Sequence, residues 1–203
     1  MTPKPYMIGI AGPSGAGKSY LAEHLSRELQ DTTLVPIDAY YPDLSQLPLK
    51  DRERLNFDDP DLLDTKLLFA QVAALTRGES IERPVYDFGR HTRLRETILV
   101  EPREYVIVEG LFTLYWEPLR AMLQTRVYVE MEDAVCFERR VKRDVGERGR
   151  APEYVAQQFR ETVLPAVAAF VRPNAAYANV SLYGAANIAE EVAAVLAHIR
   201  RNS

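Results

Sequence analysis

The hydrophobic positions of the chain alternate between short apolar runs and longer stretches with helical spacing. The apolar runs predict buried strands at 6–11, 34–37, 105–108, 126–129 and 180–182. Apolar residues that recur every three or four positions predict helices from residue 18 onward and over 65–77, 133–144, 153–171 and 187–199. Pro165 is expected to kink or divide the fourth of these helices. Strands that alternate with helices predict an α/β fold with a parallel sheet.

Two further extended stretches lie outside this alternation. Residues 80–86 and 95–100 flank a sequence at 87–91 that is typical of a turn. We therefore expect a β-ribbon that is set apart from the main sheet.

Composition limits the class of protein. The 203 residues fit one domain, with at most a small lid or insertion, and the hydrophobic fraction of 47% supports a core. The net charge of −4 argues against the basic face of a nucleic-acid-binding protein. No run approaches the roughly 18 apolar residues that span a bilayer. The single cysteine, Cys136, excludes an intrachain disulfide. We expect a cytoplasmic protein with neither nucleic acid nor membrane as a partner.

The loop between the first predicted strand and helix fits the pattern G-x-x-x-x-G-K-[ST]. Its residues are Gly12, Pro13, Ser14, Gly15, Ala16, Gly17, Lys18 and Ser19. The glycines allow such a loop to curl so that backbone N–H groups point at the oxygens of a polyphosphate. Lysine places positive charge on the outer phosphates, and the serine hydroxyl can ligate Mg²⁺. We expect this loop to bind a triphosphate donor, ATP or GTP, together with Mg²⁺.

Two acidic residues end predicted strands. In an open parallel sheet, ligands lie beyond the carboxyl ends of the strands. Glu109 fits a Walker B carboxylate, which holds Mg²⁺ directly or through water. Asp38 can serve as the general base for an alcohol acceptor, which loses a proton as it attacks, whereas a phosphate acceptor needs no base. The pattern favours a hydroxyl acceptor, and the alternative is that Asp38 caps the turn that follows it.

Residues 139–150 are dense in arginine. Arg139, Arg140 and Arg143 have the spacing of neighbours on a helix, and Arg148 and Arg150 lie on a glycine-flanked segment that can move. Guanidinium groups that close over a triphosphate neutralise the charge that develops in phosphoryl transfer. We interpret the stretch as a lid, the alternative being a solvated helix face.

Five stretches in this order resemble the phosphoribulokinase/uridine kinase family, in particular its uridine–cytidine kinases. They are 12–19, 38–41 (Asp-Ala-Tyr-Tyr), 56–61 (Asn-Phe-Asp-Asp-Pro-Asp), 84–93 (Pro-Val-Tyr-Asp-Phe-Gly-Arg-His-Thr-Arg) and 139–150. The likeness covers roughly residues 5–184. It implies the three-layer P-loop NTPase fold with a central parallel sheet, as a single domain over 1–203. The β-ribbon insertion would lie at about 80–100 and the arginine-rich lid at about 139–152.

The resemblance implies transfer of phosphate from ATP to the 5′-hydroxyl of uridine or cytidine, a reaction of pyrimidine salvage. Asp38 would be the base, with Lys18, Arg143 and Arg148 as the other catalytic residues and Arg150 on the phosphate path. Mg²⁺ would be held by Ser19, Glu109 and Asp38. The implied nucleoside-binding residues are Tyr41, Phe57, Asp58, Tyr86, Phe88, His91, Arg140 and Gln158. Among these, Asp58 would hold the ribose hydroxyls, and Tyr86 and His91 would read the pyrimidine edge. The resemblance also implies a homo-oligomer, the family's tetramer.

The chain departs from the family pattern in three places. Asp59 stands where the family usually has His, Tyr20 stands where it favours a small residue, and the segment 174–184 lacks its usual basic and Pro-Arg positions. The choice between ATP and GTP, feedback control and the tetramer stay open for this reason.

Two other functions remain alternatives. A related kinase could act on ribulose phosphate, pantothenate or a glycerate, but the pair Tyr86 and His91 argues against it. A non-catalytic nucleotide-binding protein would be expected to lose Lys18, Asp38 or the lid arginines, and all of them are present.

Overall fold

A five-stranded parallel sheet forms the centre of the molecule. The computed structural model describes residues 4–146, 148–184 and 187–202. The sheet consists of β1 (Tyr6–Ala11), β2 (Thr32–Pro36), β5 (Tyr105–Glu109), β6 (Thr125–Glu130) and β7 (Val180–Tyr183). Their order is β2-β5-β1-β6-β7, and every neighbouring pair is parallel. The predicted α/β fold with a central parallel sheet is confirmed.

The central strands supply much of the core. Ile8 on β1 pairs with Ile107 on β5, and both side chains are fully buried, as are Ile10, Val108 and Val127. Strands that are covered on both faces read as continuous apolar runs rather than alternating ones, because neither face meets water. This is why the apolar runs located these strands.

Eight α-helical segments accompany the strands in the described part of the chain. They are α1 (Lys18–Leu29), α2 (Leu49–Glu53), α3 (Thr65–Thr76), α4 (Glu117–Arg120), α5 (Asp133–Gly146), α6 (Pro152–Gln158), α7 (Leu164–Ala166) and α8 (Ile188–Asn202). Helix α1 contacts β2 and β5, α8 contacts β6 and β7, and the two helices contact each other. None of the helices that the structure describes has both the length and the apolar character needed to cross a bilayer.

The helix predicted at 153–171 is divided, as its proline suggested. Two π-helical turns, Phe159–Val163 and Val167–Val171, flank the short α7, which contains Pro165. Proline has no N–H to donate to the preceding turn, so the regular hydrogen-bond ladder cannot continue through it. The backbone nevertheless keeps helical dihedral angles from α6 through α7.

The predicted ribbon is present and separate from the sheet. It consists of β3 (Ile81–Asp87) and β4 (Thr92–Val100), which are antiparallel and form their own two-stranded sheet. β4 begins three residues earlier than the pattern predicted, since Thr92 and Arg93 already pair with Asp87 and Tyr86. The turn between the strands includes His91 with a φ of 49°, an uncommon left-handed conformation for a residue with a side chain.

Candidate active site

The carboxyl ends of three adjacent strands bring the sequence-predicted donor residues together. The glycine-rich loop follows β1, Asp38 follows β2 in a 3₁₀ turn, and Glu109 is the last residue of β5. Because β5 lies between β1 and β2, these three ends meet at one edge of the sheet.

A cavity of about 460 Å³ opens over this edge. It is lined by the loop residues Ser14, Gly15, Ala16, Gly17, Lys18 and Ser19, by Asp38 and Glu109, and by Arg139, Arg140 and Arg143. Gly12 and Pro13 are not part of its lining, and Pro13 instead offers its carbonyl to the Lys18 ammonium at 2.9 Å. The cavity has the backbone loop and the positive side chains that a polyphosphate requires. We call it the donor cavity.

Lys18 lies at the buried base of the donor cavity. Burial lowers the pKa of its ammonium, while the nearby carboxylates of Glu109 and Asp38 act to raise it. A lysine in this position interacts with anionic groups on both sides, the two carboxylates below and any phosphate above.

The two strand-end carboxylates are half-buried. Burial raises the pKa of both Asp38 and Glu109, and the Lys18 charge opposes that rise in each case. A raised pKa makes Asp38 a better proton acceptor than an exposed aspartate. Gly110, which follows Glu109, lets the backbone after β5 pass close to the turn that carries Asp38, because a Cβ at this φ of 152° would lie 2.2 Å from Ile37 Cγ1 and 3.5 Å from Asp38 Oδ1.

The oxygens at this edge fit a small hard cation. The Ser19 hydroxyl donates to Glu109 Oε1 at 3.1 Å, and Asp38 lines the same cavity. In the described part of the chain no group of three or more His, Cys, Asp or Glu residues could hold a metal ion by itself. Magnesium commonly takes one or two protein carboxylates and completes its shell with phosphate oxygens and water, so this donor set suits a metal that arrives with a triphosphate.

A second, smaller cavity adjoins the first. Its free volume is about 50 Å³, and it shares Ser14, Asp38, Leu111, Arg140 and Arg143 with the donor cavity. The rest of its lining consists of Tyr41, Phe57, Asp58, Phe88, His91, Arg148, Arg150 and Gln158. All but one of the residues predicted to bind a nucleoside line this space, which we call the acceptor cavity.

The exception is Tyr86, which lies behind the aromatic wall. Its ring centroid is 5.4 Å from that of Tyr41 and 5.1 Å from that of Phe88, while Phe57 lies 4.8 Å from the His91 ring. Among the described residues, the buried Tyr86 hydroxyl has no hydrogen-bond partner. A buried polar group without a partner is costly, so this hydroxyl is suited to a polar ligand atom or a water.

His91 meets a lid arginine in the acceptor cavity. Its Nε2 lies 3.1 Å from Arg150 Nη2. Burial, together with the charges of Arg150 and Arg148, lowers the pKa of His91 to about 4. The ring is therefore neutral at pH 7, and because a guanidinium only donates, Nε2 accepts and the proton resides on Nδ1.

The carboxylate predicted to hold a ribose is buried beside its predicted helpers. Asp58 is 4% exposed and lies 3.5 Å from Arg140 Nη1. Arg140 also donates to Gln158 Oε1 at 3.1 Å. The three residues form one polar wall of the acceptor cavity.

Two of the lid arginines, Arg148 and Arg150, lie on the acceptor side. Arg148 stacks over the Phe88 ring at 4.8 Å, and neither it nor Arg150 lines the donor cavity. Arg150, predicted to lie on the phosphate path, has its side chain in the lining of the acceptor cavity in this structure. Arg143 lies at the boundary of the two cavities and lines both of them.

Sequence reasoning missed two residues that hold this arrangement. Arg93 donates to the backbone carbonyls of Tyr40 and Tyr41 and pairs with Asp64 at 3.1 Å, so it fastens the turn that carries Asp38. Asp144 is the buried partner of the lid arginines. The signals in the sequence were an arginine at the end of the 84–93 string and an acidic residue, Asp144, inside a basic run.

The sequence of the chain is similar to a family model and to known proteins. Residues 7–186 match the sequence profile described as the Phosphoribulokinase / Uridine kinase family. Proteins named uridine kinase from Salmonella paratyphi B and Salmonella typhimurium are each 41% identical over 180 residues, 86% of this chain and 84% of theirs.

Solved structures show the same fold at lower identity. A putative fructose transport system kinase from Silicibacter sp. TM1040 matches with a TM-score of 0.73 and 23% identity, over 89% of this chain and 90% of that one. Phosphoribulokinase from Rhodobacter spheroides matches with a TM-score of 0.65 and 13% identity, over 88% and 69% respectively. At these identities the likeness concerns the fold alone.

Proposed function

Because this chain belongs to the phosphoribulokinase/uridine kinase family, we propose that it transfers the γ-phosphoryl group of ATP to the 5′-hydroxyl of uridine or cytidine. The observation that carries the proposal is the position of Asp38 on the wall that the donor and acceptor cavities share. A base at that boundary can reach an acceptor hydroxyl on one side while the phosphate loop holds the donor on the other.

The transfer needs one base and several positive groups. The 5′-hydroxyl gives its proton to the Asp38 carboxylate, its oxygen bonds to the γ-phosphorus, and the bond from that phosphorus to the bridging oxygen breaks to release ADP. Lys18 and Arg143 neutralise the charge on the phosphoryl oxygens and the leaving group. Mg²⁺, held by Ser19 and Glu109 with Asp38, would supply further charge neutralisation across the outer phosphates.

The acceptor residues suit a ribonucleoside. Asp58 can accept hydrogen bonds from two neighbouring ribose hydroxyls, and a deoxyribose would leave part of this buried carboxylate unpaired. A neutral His91 has one donor and one acceptor nitrogen, so it can match the edge of uracil or cytosine. Phe57 and Phe88 line the acceptor cavity, and their rings can pack against the base.

A panel of acceptors tests the proposal. Purified protein with MgATP is expected to phosphorylate uridine, cytidine or both, and to act poorly on deoxyuridine and on purine nucleosides. Assays with and without chelator measure the dependence on Mg²⁺, and substitution of GTP measures the donor preference. Activity on a glycerate, pantothenate or ribulose phosphate but on neither pyrimidine nucleoside would show that the acceptor assignment is wrong.

A further inference from the structure

A buried aspartate inside the lid collects four arginines. Asp144 on α5 has no exposed surface. Its Oδ1 accepts from Arg143 Nε at 2.9 Å and lies 3.2 Å from Arg148 Nη1. Its Oδ2 lies 3.2 Å from Arg150 Nη1 and 3.6 Å from Arg140 Nε. The backbone N–H of Arg150 also donates to the Asp144 carbonyl at 3.0 Å, which closes the segment after α5 back onto the helix.

The carboxylate is the charge that allows these arginines to stay close together. Burial acts to raise the pKa of Asp144, but Arg143, Arg148 and Arg140 outweigh it and the pKa is lowered, so the group is ionised at neutral pH. Burial and the neighbouring Arg143 charge lower the pKa of Arg148 to about 10, which reflects the crowding of like charges. Without the carboxylate, mutual repulsion would drive the guanidinium groups apart and toward water.

Asp144 contacts the arginines but not the substrate space. It lines neither the donor cavity nor the acceptor cavity, whereas Arg140 and Arg143 line both. Both of its oxygens are engaged by guanidinium groups, so it is unsuited to act as a base or a metal ligand. Arg143 uses its Nε for Asp144, and no described residue hydrogen-bonds its two terminal nitrogens, which are therefore available to an anion at the boundary.

We propose that Asp144 is the positioning residue of the lid and fixes Arg143, with its neighbouring arginines, at the boundary where the phosphoryl group crosses. This inference rests on the proposed kinase function. Asp144 acts through the arginines: it does not increase the positive charge that the triphosphate meets, but it sets where that charge lies.

The decisive variant is Asp144→Asn, which removes the charge and keeps the shape. We expect kcat to fall by about 10- to 100-fold, since displaced guanidinium groups no longer match the transition state. Calorimetry without an acceptor should show that MgATP binds at least as tightly as to the wild type, because the lid has lost a negative charge. Asp133→Asn is the matched control, since the Asp133 side chain is 40% exposed, lies on the same helix and pairs with Arg172, and its kinetics should match the wild type.

Two outcomes would overturn the inference. One is a folded Asp144→Asn protein, checked by circular dichroism and thermal unfolding, that retains the wild-type kcat. The other is a parallel loss of kcat and MgATP affinity, which indicates a general collapse of the site rather than misplaced arginines.

Asp144→Glu keeps the test valid if the asparagine variant does not fold. It preserves the charge and displaces the carboxylate by one methylene, so we expect unchanged MgATP affinity and a kcat between those of the wild type and Asp144→Asn. A wild-type kcat for this variant would show that Asp144 only balances the charge of the arginines, and it would overturn the positioning role.

A second assay does not depend on the identity of the acceptor. It measures the slow transfer of phosphate from ATP to water in the absence of a nucleoside. A loss of that rate in a protein that phosphorylates neither nucleoside would support the role of Asp144 and refute the nucleoside assignment.

Discussion

At the scale of single residues, Asp38 is the group whose chemistry can be tested most directly. Burial raises the pKa of its carboxyl above the ordinary 3.8, with Lys18 and Arg143 opposing the rise. A base must be ionised, so activity is lost as the pH falls through this raised pKa. We expect an acid limb in the pH profile of kcat/KM that lies above the usual aspartate range, measured by steady-state kinetics.

Asp38→Asn should remove both the base and this limb. We expect kcat to fall by about 10²- to 10⁴-fold, with a smaller change in nucleoside affinity, because general-base catalysis contributes on that scale. Asp61→Asn, an exposed carboxyl on the loop after Asp58, serves as the control. An unchanged acid limb in Asp38→Asn would assign the limb to another group and contradict the role of Asp38.

His91 makes the stability of the fold dependent on pH. Its pKa is about 4 in the folded protein, against 6.5 for an ordinary histidine. Between these values the unfolded chain binds the proton and the folded protein does not, so the contribution is complete above pH 6.5 and is lost as the pH falls toward 4.

His91→Gln should therefore flatten part of the acid dependence of stability. We expect its thermal midpoint to fall less than that of the wild type between pH 6.5 and 5, as measured by calorimetry. His24→Gln is the control, since His24 lines neither of the two cavities. Equal slopes for His91→Gln and the wild type would show that His91 takes up its proton in the folded protein.

At the scale of elements, the hydrophobic pattern located most of the helices and strands. It failed where hydrogen bonds of polar residues set the boundary of an element. The buried strands and α1, α3 and α5 were predicted because apolar spacing records burial directly. The start of β4 was predicted three residues late. Thr92 is polar, so the apolar pattern does not include it, although it pairs with Asp87 in the ribbon. Its hydroxyl donates to Asp43 and receives the Leu44 N–H, contacts from a loop 48 residues away.

The same limit applies to the site. Asp38 and Glu109 were predicted because each follows an apolar run, and such a position can be recognised in the sequence. The contacts of Asp144 were not predicted. In sequence, an acidic residue in an arginine-rich helix is typical of an exposed ion pair, whereas in the folded protein Asp144 is fully buried. The acceptor residues were predicted from the resemblance to the family. That resemblance did not predict that Tyr86 lies behind the aromatic wall or that Arg150 contacts His91.

At the scale of the whole molecule, the last strand of the sheet supports the loop that follows the first. Gly184, just after β7, donates its N–H to Glu130 O at 2.9 Å, and its carbonyl receives Arg139, which also donates to Gly15 O at 3.1 Å. A Cβ at Gly184 would lie 2.2 Å from Ala16 O and 2.8 Å from Val129 Cγ1. Residues about 170 positions apart thus touch with no room for one methyl group, at the end of the segment that departs from the family pattern.

Gly184→Ala tests whether this contact shapes the donor cavity. The added methyl must displace the backbone of the phosphate loop, so we expect weaker MgATP binding and a stability loss of about 1–3 kcal/mol, the usual cost of overpacking. Calorimetry with MgATP and denaturant unfolding measure the two effects. Gly146→Ala adds the same methyl at a position where, among the described residues, no atom from another part of the chain lies within 4 Å, and it should not reproduce the stability loss. If Gly184→Ala kept both wild-type affinity and stability, the backbone near Gly184 would be able to move away from the added methyl group. The phosphate loop would then keep its shape without the contact to the end of β7.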